Sequence, residues 1–398
     1  MPEEPIDRIV ERMLEGDDLS RRTFLRRLGT AGFAVSGAAT LLAACGGAEG
    51  GGDEDRDVDV THPKVPIRNW TFSNWPLYID PAVIKDFDRR FGARTKYIQD
   101  INDNQEFFGK VRQQLQRNQP IGRDLVVLTD YMAARWVRGD YVEPIDKRNV
   151  PNVRNLQDNL RSPKFDPERN FTLPWQSGMT GIGYNRKRTG REIRSVDDLF
   201  DPRFKGRVTM LEDPHDSAGL VLWSQGVRPE EASIDQVLAA IDKIDEENRK
   251  GQIRRFTGND YTQDLTQGNS WIATVYSGDV FQLREDNPDI EFVIPEEGGV
   301  IWTDNMMIPE RAAHPYAAET MMNYVYDPKV AAKIAAYVNY VTPVKGVQEE
   351  LAKSDPELAR ETLIFPDAAT RRKLSPYPDL DAEDERRMIE AMARVTGA

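Results

Sequence analysis

Short apolar runs alternate with stretches of helical periodicity along most of the chain, the pattern of an α/β architecture in which amphipathic helices connect buried strands. Ile67 to Phe72 reads as the first strand. Asp80-Pro81 then caps a helix with proline at its first position; Val83, Ile84, Phe87 and Phe91 share one face, and Gly92 ends it. A second strand around Lys96 and Tyr97 leads to a helix carrying Phe108, Val111 and Leu115 at helical spacing. Asp124-Leu-Val-Val-Leu128 reads as a buried strand. Thr129, Asp130 and Tyr131 follow at its carboxyl end, where open α/β sheets bind ligands.

A second α/β run begins with Ser195-Val-Asp-Asp198, a capping box before Leu199 and Phe200. Val208 to Leu211 forms a short strand ending in Glu212-Asp213-Pro214-His215-Asp216. Ser233 opens a long helix with Ile234, Val237, Leu238, Ile241 and Ile244 facing inward. Trp271 to Tyr276, Ile290 to Ile294 and Val300 to Trp302 add strands, and Ala312 to Asn339 is mostly helical. Residues 64 to 398 exceed what a single core usually supports, so two lobes are expected.

The first residues read differently. Ser20-Arg21-Arg22-Thr23-Phe24-Leu25 precedes an Ala/Gly-rich apolar run that ends in Leu42-Ala43-Ala44-Cys45. Arg21 and Arg22 before an apolar segment mark export by the twin-arginine route, and small residues leading to Cys45 mark lipid attachment after cleavage. Leu28 to Ala44 is too short and too glycine-rich to span a bilayer well. Residues 1–44 are therefore expected to be a signal peptide, with Cys45 lipidated and the mature protein held in the periplasm or at the outer face of the cytoplasmic membrane. Residues 45–63, rich in Gly, Asp and Glu, are expected to form a flexible tether, with the globular part starting near Lys64.

Composition narrows the chemistry. Cys45 is the only cysteine, so there is no disulfide framework and no cysteine-based metal cluster. The formal net charge is −13, and no Lys/Arg-rich block occurs outside the signal, which argues against nucleic acid. Histidine occurs only at positions 62, 215 and 314; there is no Gly-x-Ser-x-Gly elbow, no Gly-x-x-x-x-Gly-Lys-Ser/Thr loop and no His-Glu-x-x-His pair. No enzyme and no cofactor is expected. Instead, aromatic and carboxylate residues recur at predicted strand ends: Trp75 and Tyr78, Asp130 and Tyr131, Asp213 and Asp216, Tyr276, Trp302 and Asp304, and Tyr340. Such a mixture suits a flexible polycation, whose ammonium ends need carboxylates and whose methylenes need flat aromatic walls.

These groups also occur in a known order. Ser73-Asn-Trp-Pro-Leu-Tyr78, Asp124-Leu-Val-Val, Leu173-Pro-Trp175 with Gly181-Ile-Gly-Tyr-Asn185, Phe204-Lys-Gly206, Glu296-Glu-Gly-Gly-Val-Ile-Trp-Thr-Asp304 and Tyr340-Val-Thr-Pro343 resemble the polyamine-binding proteins of spermidine/putrescine ABC importers. The resemblance covers the chain from about Ile67 to its C-terminus. It implies a two-lobed periplasmic-binding-protein fold of type II, closing about a hinge, with residues 64–178 plus 304–348 as one lobe and 179–303 plus 349–398 as the other. It also implies that Trp75, Tyr78, Tyr131, Tyr276, Trp302 and Tyr340 form aromatic walls, that Asp213, Asp216 and Asp304 hold ammonium groups, and that Thr129 adds a hydroxyl.

The partners so implied are a polyamine, an ABC permease with its ATPase and, through Cys45, the membrane; a monomer is expected. Pro76, Tyr276 and Asp216 stand where the family often has a hydroxyl residue, a tryptophan and a glutamate, departures that bear on which ligand fits. The residues alone leave alternatives: another organic amine or an opine-like ligand, a divalent metal at Glu212-Asp213-x-His215-Asp216, or a secreted hydrolase using Asp213 and Asp216 as acid and base.

Overall fold

The computed structural model describes residues 58–378 and 380–397; the expected signal with Arg21 and Arg22, the lipidation site Cys45 and most of the tether lie outside the described residues. Strands β1 (Asn69–Asn74), β2 (Arg94–Gln99) and β3 (Leu125–Thr129) run parallel, with β1 between the other two. The helix Pro81–Phe91 forms as its sequence dictates. Asp80 accepts a hydrogen bond from the Ala82 amide, Val83, Ile84 and Phe87 are buried, and Gly92 ends the helix at φ 66°. In the helix Asn104–Gln116, Phe107 is buried with Val111 and Leu115, each four residues apart, while Phe108 is only half-buried.

The next strand, β4 (Thr172–Asn185), has no periodic signature, because all fourteen of its residues are buried and neither face meets water. Beyond it lie β5 (Val208–Leu211), β6 (Ile253–Thr257), β7 (Ile272–Tyr276), β8 (Ile290–Val293), β9 (Gly299–Met307) and the two-residue β10 (Leu374–Ser375). The sheet order is β2-β1-β3-β9-β4-β7-β5-β6, with β8 on β4 and β10 on β9. The long antiparallel pair β4 and β9 joins the halves. One end of β9 pairs with β3, and the far end of β4 pairs with β7 and β8.

Hydrophobic side chains gather on either side of that pair. Phe72, Phe87, Trp175 and Met321 belong to one core, extended by Phe107, Met132 and Trp136; Ile182, Val208, Leu220 and Ile241 belong to the other, extended by Tyr261 and Val275. Met179, Val341 and Leu374 form a small cluster where the connections cross. Leu351, Ala359 and Ile364 are buried with the first core, while Met388, Ala391 and Met392 of the final helix, Ala382–Thr396, are buried with the second. Strand β6 and the helices Asp130–Arg138, Pro214–Ser224 and Ala382–Thr396 were not apparent from periodicity. Among the described residues, no helix is long and apolar enough to cross a membrane.

The residues just before Lys64 are also held against the folded part. His62 is buried: its amide donates to Asp146 (3.1 Å), its Nδ1 lies 2.5 Å from Glu319, and its Nε2 lies 3.6 Å from Glu143. Arg148 further holds this strap through the Val60 carbonyl and the Thr61 hydroxyl, each at 2.8 Å. Polar contacts hold His62 in place, whereas Val58 stays exposed, so the apolar pattern was no guide. Burial alone would lower the His62 pKa, but hydrogen bonds to Glu143 and Glu319 outweigh it and raise the value to about 9. A pKa raised above that of the unfolded chain gives stability that is complete below about pH 6.5 and is lost as pH rises through 9. His62→Ala is therefore expected to lower Tm at pH 6, with the difference from wild type shrinking by pH 10; a constant difference would show that the contact is not ionic.

Candidate functional site

Strand register decides where the carboxylates sit. Thr129, the last residue of β3, lies opposite Asp304 of β9, and the Thr129 hydroxyl donates to Asp304 Oδ1 at 2.7 Å. Residues two apart on a strand share a face, so Trp302 projects beside Asp304. Opposite Trp302 on β4 is Gly178, where a Cβ atom would lie 2.3 Å from the indole. Only glycine lets the ring lie flat on the strand.

The second acidic group comes from a helix start. At the end of β5, Asp213 caps the helix Pro214–Ser224 by accepting from the His215 amide, and Asp216 falls in its first turn, where the helix dipole favours an anion. Asp216 accepts from Thr180 (2.5 Å), Tyr276 (3.0 Å) and Tyr377 (3.1 Å). Tyr78 completes the shell of Asp304 by donating to Oδ2 at 2.8 Å. A further carboxylate, Asp279, accepts from Tyr261 (2.7 Å) and Tyr340 (3.1 Å).

These groups border one cleft between the two cores, with about 700 Å³ of empty space counted to its mouth. Trp75, Tyr78, Thr129, Asp213, Asp216, Tyr276, Trp302, Asp304 and Tyr340 all line it. Ring centroids of Tyr276 and Trp302 are 5.4 Å apart, those of Trp302 and Tyr340 5.6 Å, and those of Tyr340 and Tyr78 5.4 Å, which makes a continuous aromatic wall. Tyr131 stands behind the lining. It stacks on His215 at 3.8 Å and donates to Asp213 at 2.8 Å. Asp130 points elsewhere, accepting from Asn305 at 2.7 Å.

Asp279 and Tyr377 were not singled out from sequence. Asp279 follows Tyr276 by three residues in the first turn of the helix Ser277–Asp286, a spacing that reading the strand end further would have caught. Tyr377 lies in an irregular segment with no periodicity to flag it.

The electrostatics are unusual. Asp304 and Asp216 are 3 % and 1 % exposed, and among the described residues neither has a Lys, Arg or His ion-pair partner. Burial, together with the nearby Asp130 charge, raises the Asp304 pKa to about 7 against the opposing hydrogen bonds. Burial, together with the neighbouring Asp213 charge, raises Asp216 likewise to about 7. Asp213 moves the other way: burial pushes it up, but the His215 charge and the hydrogen bonds from His215 and Tyr131 bring it below its ordinary value. The site thus holds buried acids whose ionised form lacks a counter-charge. Glu212, Asp213, His215 and Asp216 do not converge as metal ligands; among the described residues, no group of three or more His, Cys, Asp or Glu is placed to hold a metal ion.

A family model for bacterial extracellular solute-binding proteins matches residues 82–360. The chain belongs to that family. A solute-binding protein is not an enzyme, and the hydrolase alternative falls with this finding. Among similar proteins, the spermidine/putrescine-binding periplasmic protein of Escherichia coli is 25 % identical over 300 residues, covering 75 % of this chain and 83 % of its own. A putrescine/cadaverine-binding protein of Pseudomonas aeruginosa is 26 % identical over 336 residues, covering 79 % and 89 %. The solved structure of a putative spermidine/putrescine ABC transporter protein from Listeria monocytogenes superposes with a TM-score of 0.72 at 24 % identity, covering 82 % of this chain and 98 % of its own. This solute-binding protein therefore has the periplasmic-binding-protein fold, with its cleft between the two cores.

Acids with raised pKa values destabilise the ligand-free fold when ionised: their contribution is favourable below about pH 3.8 and is lost as pH rises through 7. Asp304→Asn, which removes the charge and keeps the shape, is expected to stabilise the ligand-free protein at pH 8 by about 1–3 kcal/mol. Urea unfolding at pH 8 and pH 4 checks this. The gain should vanish at the lower pH, and an equal loss at both values would contradict the stated electrostatics.

Proposed function

We propose that this chain is the substrate-binding component of an ABC importer and captures a polyamine, spermidine or putrescine, between its lobes. The observation that carries this reading is the pair of buried carboxylates, Asp304 and Asp216, surrounded by hydroxyl donors and aromatic rings but by no basic side chain. An alkylammonium supplies the missing charge with up to three N–H donors, and its methylenes cover the walls of Trp302, Tyr276, Tyr340 and Tyr78. Asp279 adds a further carboxylate along the same wall. The E. coli relative is named for spermidine and putrescine and the P. aeruginosa relative for putrescine and cadaverine, the same ligand class.

In this reading Asp304, from the strand that joins the lobes, and Asp216, from the second lobe, are bridged by one ligand, so ligand binding favours closure. The protein works as a monomer outside the cytoplasmic membrane, exported by the twin-arginine route and anchored through Cys45, and hands its ligand to a permease driven by an ATPase. The hinge is the β4 and β9 pair with the Val341 crossing.

Isothermal calorimetry with spermidine, putrescine, spermine and cadaverine tests the proposal. One of them should bind stoichiometrically at micromolar affinity or better, and silence across the panel would overturn the reading. For the amine that binds, Trp302→Ala is expected to cost about 2–4 kcal/mol, as truncation of a buried aromatic anchor does. Asp304→Ala should cost far more than Asp130→Ala, because Asp130 faces Asn305 and not the cleft. Equal losses would remove Asp304 from its assigned role.

A further inference from the structure

Outside the cleft, one buried carboxylate is shared between the lobes. Glu385 lies in the first turn of the helix Ala382–Thr396, which packs on the second core through Met388, Ala391 and Met392. Both of its ion-pair partners come from the helix Asp130–Arg138 of the first lobe, which is fixed there by Met132, Ala133 and Trp136. Arg135 Nη2 reaches Glu385 Oε1 at 2.8 Å, and Arg138 Nη2 reaches Oε2 at 3.1 Å. Glu385 is 4 % exposed. Arg135 is itself oriented, by a 2.8 Å bond to Gln105 and by the Phe108 ring 5.5 Å from its guanidinium.

We propose that Glu385, Arg135 and Arg138 form an interlobe clasp that sets how much of the ligand-free protein is closed, and thereby scales affinity without touching ligand. Closure without a cation has an electrostatic cost. Asp103, at the start of a first-lobe helix, lines the cleft mouth, and its pKa is raised by burial and then by the charge of Asp213 from the second lobe. The clasp opposes that repulsion with attraction between the same two lobes. Its two arginines satisfy both oxygens of one buried carboxylate; Arg135 is partly buried and Arg138 is 44 % exposed, so the Arg135 contact supplies the larger share of the attraction. Opening separates the partners and returns Glu385 and Arg135 to water. The bias therefore acts on the open–closed equilibrium alone, and it multiplies the dissociation constants of all ligands by one factor.

The test uses the folded, purified protein carrying one spin label on each lobe, away from the clasp and the cleft. Without ligand, Glu385→Gln should lengthen the mean interlobe distance or broaden it toward open states, and Arg135→Met combined with Arg138→Met should do the same from the other lobe. Dissociation constants for spermidine and putrescine should rise together, by about tenfold, leaving their ratio unchanged. The charge-reversed triple variant, Glu385→Arg with Arg135→Glu and Arg138→Glu, should recover most of the closed population. Unchanged ligand-free distances, or a triple variant no more closed than the single ones, would overturn the clasp. Because the distance is read without ligand, a wild-type protein that bound neither amine would count against the polyamine reading while the clasp was still judged on distance.

Discussion

The site depends on one constraint: a carboxylate taken out of water must find positive charge or give up its own. Asp304 is surrounded by two hydroxyl donors and no cation. Hydrogen bonds from Tyr78 and Thr129 soften the burial but do not balance a full charge, so the proton-binding equilibrium moves to about neutrality. Asp216 meets the same constraint at the start of a helix, with three hydroxyl donors. A folded protein that keeps two such groups in one cleft sacrifices stability there, and a cationic ligand restores it. Stability and recognition are opposite faces of the same electrostatic imbalance.

The fold holds that imbalance in place through the two strands that link its halves. Asp304 is fixed by its register against Thr129, and Trp302 beside it is fixed by the absence of a side chain at Gly178. Thr180, two residues further along the face of β4, bonds both the Trp302 indole (3.1 Å) and Asp216. One strand therefore connects the aromatic wall to the second carboxylate. In the proposed reading, cation site and hinge share backbone, so a ligand held by both lobes would act directly on the element that must move when they close.

Much of this was legible in the chain. The capped helix from Asp80 to Gly92, the helix that Ser233 opens and the strand Val208–Leu211 follow from local rules, since each carries its own start or stop residue. Trp302, Asp304 and their partners were legible as a group because the order of the motifs matches a known family. What escaped depends on long-range burial. β4 shows no alternation because both of its faces are covered, and its importance comes from pairing with β9 more than a hundred residues away. The strap at His62 escaped for the opposite reason, since it is held by polar contacts to Glu319 and Asp146 that no apolar periodicity announces. Glu385 and Arg135 look like ordinary charges on helices until the two helices face each other.

The most direct measurement of the central electrostatic claim is the number of protons exchanged on binding, from calorimetry in buffers of different ionisation enthalpy. Putrescine is a suitable ligand because its alkylammonium groups stay charged near pH 7. Because Asp304 and Asp216 titrate near pH 7 when the cleft is empty, binding of a cation should force them to ionise, and protons should be released at pH 7 with the release falling by pH 8.5. Binding heats at pH 7 that are identical in every buffer, or that report proton uptake, would contradict the account.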